Sequence, residues 1–149
     1  MGMEGVKTGA FWLRFFEMIC AIVAFSTVVD YDSSSRIKFV MFTGITAFIL
    51  ALFFMVAYMA GVGAARGIFS LVVDVLWTIF WLVAAGCVSS FLADVPDTSK
   101  LQASTAFSWI SWFLWIGSTI ISFQDWRGGV SGPAPTGPPG IPNSSVSMV

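Results

Sequence analysis

The sequence contains no histidine among its 149 residues, and only 10% of them are charged. The missing histidine removes the commonest general base and metal ligand from the chemistry of the chain. A water-soluble domain would carry roughly a quarter charged residues. The formal net charge of −1 leaves no basic patch that would bind nucleic acid. We therefore expect neither a nucleic-acid partner nor a domain that folds in water.

Cysteine is also scarce, since the two residues present, Cys20 and Cys87, each lie inside an apolar run. Neither a disulfide framework nor a zinc site, which needs about four ligands, is expected from them. The sequence contains no Ser–His or Cys–His pair and no phosphate-binding loop. We predict that the protein is not an enzyme, with no catalytic residue, no metal, no cofactor and no small-molecule substrate.

Long apolar runs dominate what is present, because hydrophobic residues make up 57% of the chain and the mean hydropathy is +0.88. A helix that spans a bilayer needs about 20 mostly apolar residues. Four runs meet this requirement, at residues 10–29, 37–60, 68–93 and 105–123. The breaks between them are short, so consecutive helices are antiparallel. The sequence predicts an all-α integral membrane protein, a bundle of four helices that run up, down, up and down.

Both ends of such a bundle lie on one side of the membrane. We divide the chain into a short N-terminal segment (1–9), the four-span domain (10–127) and a tail (128–149) that is rich in Gly, Pro and Ser. The tail is expected to be disordered, because it has many prolines and little apolar surface to bury, and a short Pro-rich docking segment is the alternative. The basic residues favour cytosolic ends by a small margin. The glycosylation acceptor at Asn143 is then predicted to stay unmodified.

Three ionisable residues interrupt the spans: Arg14 and Glu17 in the first, and Asp74 in the third. Both spans start from the same side, and at 1.5 Å per residue the three lie about 6, 10 and 9 Å deep. We predict an Arg14–Asp74 bridge between the two spans with Glu17 beside it, because a charge in hydrocarbon needs a partner or water. The cluster either fixes helix register or handles ions or protons, with Glu17 partly protonated or bound to a cation. Snorkelling of Arg14 to the headgroups is the third alternative.

The fourth span carries small polar residues at helical spacing. Serines recur at intervals of 4, 3, 7 and 4 residues, and a tryptophan fills the missing heptad position. We call these residues the serine stripe: Ser104, Ser108, Ser111, Trp115, Ser118 and Ser122. Small residues allow close helix approach in lipid, so the stripe is expected to face the bundle and to leave Phe107, Leu114 and Ile121 toward lipid. A contact between copies of the chain is the alternative.

Tryptophans mark the predicted membrane boundary. Trp12 and Trp126 fall at the same expected interface, and we predict that they form part of an aromatic belt. The other five tryptophans lie deeper and are expected to pack as bulky apolar groups. Without histidine, the chain offers no obvious ligand for a haem or a chlorophyll.

The third and fourth spans resemble those of a known family, the synaptogyrins. Asp74 is followed by Phe80-Trp81, similar to the D-x5-F-W arrangement of their third span. The fourth span resembles theirs in reading Ala106-Phe107-Ser108-x-x-Ser111-x-Phe113-x-Trp115-x-Gly117, then Phe123-Gln124. Leu13-Arg14 is similar to a basic position in their first span. The wider group is the MARVEL domain, a four-span fold that includes physins and the plant Casparian-strip-like scaffolds.

This resemblance implies a tetraspan protein of the vesicles or plasma membrane of a eukaryote, with cytosolic ends. Members of the group are linked to vesicle biogenesis, exocytosis and lateral membrane organisation, and they act by packing rather than by catalysis. The link at residues 30–36 is shorter than the luminal loops of synaptogyrins and has no cysteine, and the tail has no tyrosine. Sorting through a tail motif is therefore not implied.

The leading hypothesis is a non-enzymatic protein that organises membrane patches or vesicles. Its partners would be the lipid bilayer and other membrane proteins or further copies of itself. Two alternatives remain open. One is a small ion or proton channel or transporter subunit that uses Glu17 and Asp74, and the other is an accessory linker subunit of a larger membrane complex.

Overall fold

Four long helices account for most of the residues that a computed structural model of the chain describes, which are 9–31, 33–60, 67–95 and 99–130. We label them in chain order: α1 Gly9–Ser26, α2 Ser35–Ala60, α3 Ile68–Asp94 and α4 Ser99–Val130. A short 3-10 turn, Val29–Tyr31, follows α1. Each helix is long and apolar enough to cross a membrane. The predicted all-α, four-span architecture is confirmed.

The helices form a ring of four antiparallel neighbours. α1 packs against α2 and α4, and α3 packs against the same two helices. The first and third helices therefore face each other across the diagonal of the bundle. This arrangement matters for the site, because any direct contact between α1 and α3 has to pass through the centre of the bundle.

Small residues line the seams between helices. Ala21 and Ala24 of α1 and Ala47 and Ala51 of α2 are all buried. A Cβ atom added to Gly44 would lie 2.8 Å from Phe25 Cβ, so α2 approaches α1 as closely as a glycine allows. In lipid, where no hydrophobic force joins helices, close backbone approach of this kind gives the dispersion contacts that hold them together.

The fourth helix is longer than the apolar run, residues 105–123, from which it was predicted. It begins at Ser99 rather than at 105 and ends at Val130 rather than at 123. Hydropathy marks the part of a helix that suits lipid, whereas backbone hydrogen bonds continue through the polar residues on either side. Residues 128–130, which we assigned to the tail, are thus helical, while residues 131–149 and most of the N-terminal segment lie outside the described ranges.

Two exposed ion pairs join the elements at the end of the bundle where α1 finishes. Arg36 Nη1 of α2 lies 2.7 Å from Asp94 Oδ2 of α3, and Lys100 Nζ of α4 lies 2.5 Å from Asp30 Oδ2 of the 3-10 turn. Water and salt screen exposed pairs of this kind. They therefore add little to the stability of the bundle.

Candidate functional site

The three ionisable side chains of the apolar helices meet inside the bundle. Arg14 Nη2 donates a hydrogen bond to Asp74 Oδ1 at 2.5 Å, which joins α1 directly to α3 across the diagonal. Arg14 Nη1 donates to Glu17 Oε2 at 2.9 Å within α1. Arg14 is 2% exposed, and both carboxylates are fully buried. The guanidinium lies in the interior, so the snorkelling alternative does not describe this structure.

Serines from α3 and α4 complete the bonding of the two acids. Ser118 Oγ donates to Glu17 Oε1 at 2.5 Å, and Ser122 Oγ donates to Asp74 Oδ2 at 2.5 Å. Ser70 Oγ lies 2.9 Å from Ser122 Oγ and 3.4 Å from Asp74 Oδ2. Each of the four carboxylate oxygens therefore accepts at least one hydrogen bond. Buried charges need this degree of compensation, because desolvation otherwise costs more than pairing returns.

Two aromatic rings cover the guanidinium. Arg14 Cζ lies 4.5 Å from the ring centroid of Phe54 on α2 and 5.1 Å from that of Trp115 on α4. Cation–π contacts of this length strengthen when the site is desolvated. With them, every helix of the bundle contributes to one site. We call it the ionic cluster, and its members are Arg14, Glu17, Phe54, Ser70, Asp74, Trp115, Ser118 and Ser122.

The geometry of the ionic cluster determines the register of the helices. A slip of one turn moves a helix by about 5.4 Å along its axis, which would break every bond across the diagonal. No group of three His, Cys, Asp or Glu side chains suited to a metal ion occurs in the part of the chain that the structure describes. The arrangement is thus suited to holding four helices in one alignment.

The serine stripe lies along the inner face of α4. All six members are buried: Ser104, Ser108, Ser111, Trp115, Ser118 and Ser122. Ser104 Oγ donates to the backbone oxygen of Ala24 on α1 at 2.8 Å. The stripe therefore packs inside the bundle along much of the length of α4, and it ends at the ionic cluster.

The residues of α4 that were expected to face lipid, Phe107, Leu114 and Ile121, are each half-buried. Phe107 packs against the buried core, and Ile121 lines a cleft with Ala10 and Leu13 of α1. The most exposed large residue of this helix is Phe113, at 64%. The reason is that α4 packs against two helices, α1 and α3, so its buried arc is wider than the stripe alone.

Two members of the ionic cluster were missed in the sequence. Ser70 lies four residues before Asp74, and this one-turn spacing on a helix was a signal that could have revealed it. Phe54 carries no such signal. It is one of 15 phenylalanines, and only the packing of α2 brings its ring over Arg14.

The two residues of the predicted aromatic belt lie on the outer surface. Trp12 near the start of α1 is 49% exposed, and Trp126 near the end of α4 is 36% exposed. These two helix ends lie at the same end of the bundle. Their exposure is compatible with a belt, whose position in a membrane stays a prediction.

Comparison with known families adds one match. The model of the MARVEL family, described as a membrane-associating domain, matches residues 5–121. This range covers α1, α2, α3 and most of α4, and it includes every member of the ionic cluster except Ser122. No curated protein matches the chain.

Proposed function

Because this chain belongs to the MARVEL family of membrane-associating domains, we propose that it organises membrane patches or vesicles as a non-enzymatic scaffold. It is a multi-pass membrane protein with four spanning helices. In the proposal, it associates with other membrane proteins or with itself, in the vesicles or plasma membrane of a eukaryote, with both ends cytosolic. A synaptogyrin-like subtype belongs to the same proposal and rests on the motif that runs from Asp74 to Phe80-Trp81 and on the α4 pattern.

The observation that carries the proposal is the closure of the ionic cluster. Side chains from four helices meet there, and the carboxylate oxygens of Glu17 and Asp74 all accept hydrogen bonds. A fully bonded buried network of this kind favours one rigid arrangement over alternatives. A scaffold needs such rigidity, because its partners must meet the same outer surface each time.

The outer surface supports the same function. Large apolar side chains cover it on every helix, for example Phe16 on α1, Ile49 on α2, Ile68 on α3 and Phe113 on α4. In a bilayer, these side chains contact lipid tails or the helices of neighbouring proteins. Partner association therefore requires no change in the interior.

The channel alternative has less support from the geometry. An ion that binds to Glu17 or Asp74 would have to displace Arg14 or a serine from an oxygen that already has a partner. Conduction requires binding sites that exchange their ligands readily. The ionic cluster is instead a closed set of charges that neutralise one another in part.

The scaffold proposal is tested with the full chain, fluorescently tagged and reconstituted in giant vesicles. We expect clusters larger than one copy that diffuse more slowly as surface density rises, or, in the source membrane, crosslinks at fixed stoichiometry to other membrane proteins. A variant with Phe113→Ala and Ile120→Ala alters only the exposed face of α4 and serves as a surface probe. Free diffusion as a monomer at every density, together with no crosslinked partner, would refute the proposal.

A flux measurement separates the channel alternative. Proteoliposomes that contain a pH-sensitive dye and the pure protein should show no proton flux above that of empty liposomes. Proton flux that disappears in a folded Glu17→Gln variant would show that the protein acts as a channel and would contradict the scaffold proposal. The linker-subunit alternative predicts instead that all of the protein migrates with one large complex on native gels of the source membrane.

A further inference from the structure

Next to the ionic cluster, the bundle interior holds polar atoms that have no hydrogen-bond partner among the described residues. Three are indole nitrogens and three are hydroxyl oxygens. We call these residues the tryptophan layer: Thr43, Trp77, Trp81, Ser108, Ser111 and Trp115. All except Trp77 are at least nine-tenths buried, so lipid headgroups do not reach them. Nearly all buried polar groups in proteins are bonded, so a group of six without partners requires an explanation.

Contacts between α3 and α4 place the indoles close together. Thr78 Oγ1 lies 3.0 Å from Thr119 Oγ1, and because the helices are antiparallel, Trp81 lies at the level of Trp115. The rings of Trp77 and Trp115 have centroids 6.4 Å apart. Trp77 and Trp81 are four residues apart on α3 and share a face. The three indole N–H donors therefore occupy one region of the bundle.

The hydroxyl groups lie at several levels along the bundle. Ser111 is one helical turn from Trp115 on the serine stripe, and Ser108 is about one turn further. On α2, the ring of Phe39 lies 6.0 Å from that of Phe80 on α3, which brings Thr43, one turn along, to the level of the indoles. Of the three hydroxyls, that of Ser111 is thus nearest in level to the indoles of Trp81 and Trp115, whereas Ser108 lies about 10 Å from Trp115 along the helix axis.

The unpaired hydroxyls are unusual for this protein. Thr78 and Thr119 each donate to the backbone oxygen four residues earlier, at 2.7 and 2.8 Å. Ser108 and Ser111 do not use this option. An indole nitrogen cannot use it at all, since it only donates and needs an acceptor oxygen outside its own helix. The occupant of the layer must accept hydrogen bonds, and it must also bond to hydroxyl groups.

We propose that the tryptophan layer is an internal water-binding site, in which water accepts from Trp81 and Trp115 and bonds to the hydroxyl of Ser111, with separate waters at the levels of Ser108 and Thr43. Water is the molecule that fits best, because it both accepts and donates, and because a close-packed interior admits only a small guest. The proposal is independent of the scaffold function.

A narrow cleft lies beside the ionic cluster. A cleft lined by Ala10, Leu13 and Tyr58 reaches Arg14 and the serines Ser118 and Ser122 of the ionic cluster. The ring of Trp115 covers Arg14 from the other side, at 5.1 Å. Trp115 thus contacts Arg14 with its ring and belongs to the tryptophan layer through its indole nitrogen.

The test is nuclear magnetic resonance of the full chain in lipid nanodiscs, with the tryptophan indoles labelled with ¹⁵N. Each indole signal is assigned by a Trp→Phe variant. We expect direct magnetisation transfer from water to the Nε1 protons of Trp81 and Trp115. No transfer from water to either indole at any mixing time would overturn the proposal, as would transfer from lipid ester or acyl protons in its place.

Two serine variants sharpen the result. The double variant Ser108→Ala, Ser111→Ala removes two hydroxyls that hold water, so the transfer to both indoles should fall. Ser90→Ala, whose hydroxyl is exposed and bonded to the backbone oxygen of Cys87, should leave the transfer unchanged. Equal loss in both variants would contradict the site. If the double variant does not fold, the measurement on the unaltered chain still decides.

Discussion

Arg14 lies at the centre of the ionic cluster. It bonds to two acids, lies against two aromatic rings and is almost completely buried. In a bilayer interior a lone arginine costs about 2.5–3.5 kcal/mol on insertion scales. The cost is offset here because each of its charged contacts is short and the acids have further hydrogen bonds from serine.

Removal of one acid tests this balance. In Asp74→Leu, Arg14 loses its bond across the diagonal, and Ser70 and Ser122 lose their acceptor. We expect the free energy of unfolding to fall by about 3–5 kcal/mol, as when a buried pair is broken on one side. Unfolding of the purified protein in mixed micelles, titrated with a denaturing detergent, measures the change.

The matched control is Asp94→Leu, which breaks the exposed pair with Arg36. In this variant the free energy of unfolding should fall by no more than about 1 kcal/mol. Similar losses in the two variants would mean that the buried bridge contributes no more than a surface contact.

At the scale of the helices, the seams depend on small residues at particular places. A Cβ atom added to Gly44 of α2 would lie 2.8 Å from Phe25 Cβ and 3.4 Å from the backbone oxygen of Ala21. Gly86 of α3 would meet nothing within 4 Å. The same residue type thus has a packing role in one helix and none in the next.

This difference predicts opposite effects of one substitution. Gly44→Ala should destabilise the protein by about 1–3 kcal/mol, because the methyl group has to push α1 and α2 apart. Gly86→Ala should stabilise it by about 0.5–1 kcal/mol, because alanine favours the helix and no atom opposes it. Thermal unfolding followed by circular dichroism in detergent compares the two. A tolerated Gly44→Ala would show that the seam can relax.

The sequence predicted the helices better than their faces. Hydropathy located four spans because the lipid interior favours apolar runs, and the similar depth of Arg14 and Asp74 followed from counting residues. The half-burial of Phe107 and Ile121 could not be predicted, because it depends on how many neighbours α4 has. The role of Phe54 could not be predicted, because it results from the packing of α2 rather than from any local pattern.

For the whole molecule, the two ends of the bundle differ. The ionic cluster lies nearer the end where α1 starts, and exposed ion pairs join the elements at the other end. We proposed that the first of these ends faces the cytosol. The tail follows α4 on that same side, which makes its glycosylation acceptor a reporter of orientation.

The orientation is tested by translation into microsomes. Asn143 should stay unglycosylated, because a cytosolic tail never meets the lumenal transferase. A control chain with an acceptor-bearing loop inserted after Asp97 should be glycosylated, since the link between α3 and α4 lies on the opposite side. A mobility shift that is sensitive to endoglycosidase reports both. A glycan at Asn143 would reverse the proposed orientation.

The spacing of Arg14 and Glu17 has a consequence for biosynthesis. The two lie one turn apart in α1, so this helix carries its own counter-ion. Its Arg14–Glu17 pair is therefore complete before α3 is synthesised. Asp74 has no basic neighbour within its own helix. Arg14 is therefore already in the bilayer when Asp74 arrives, so N-terminal to C-terminal synthesis delivers the shared cation and its first acid before the second acid.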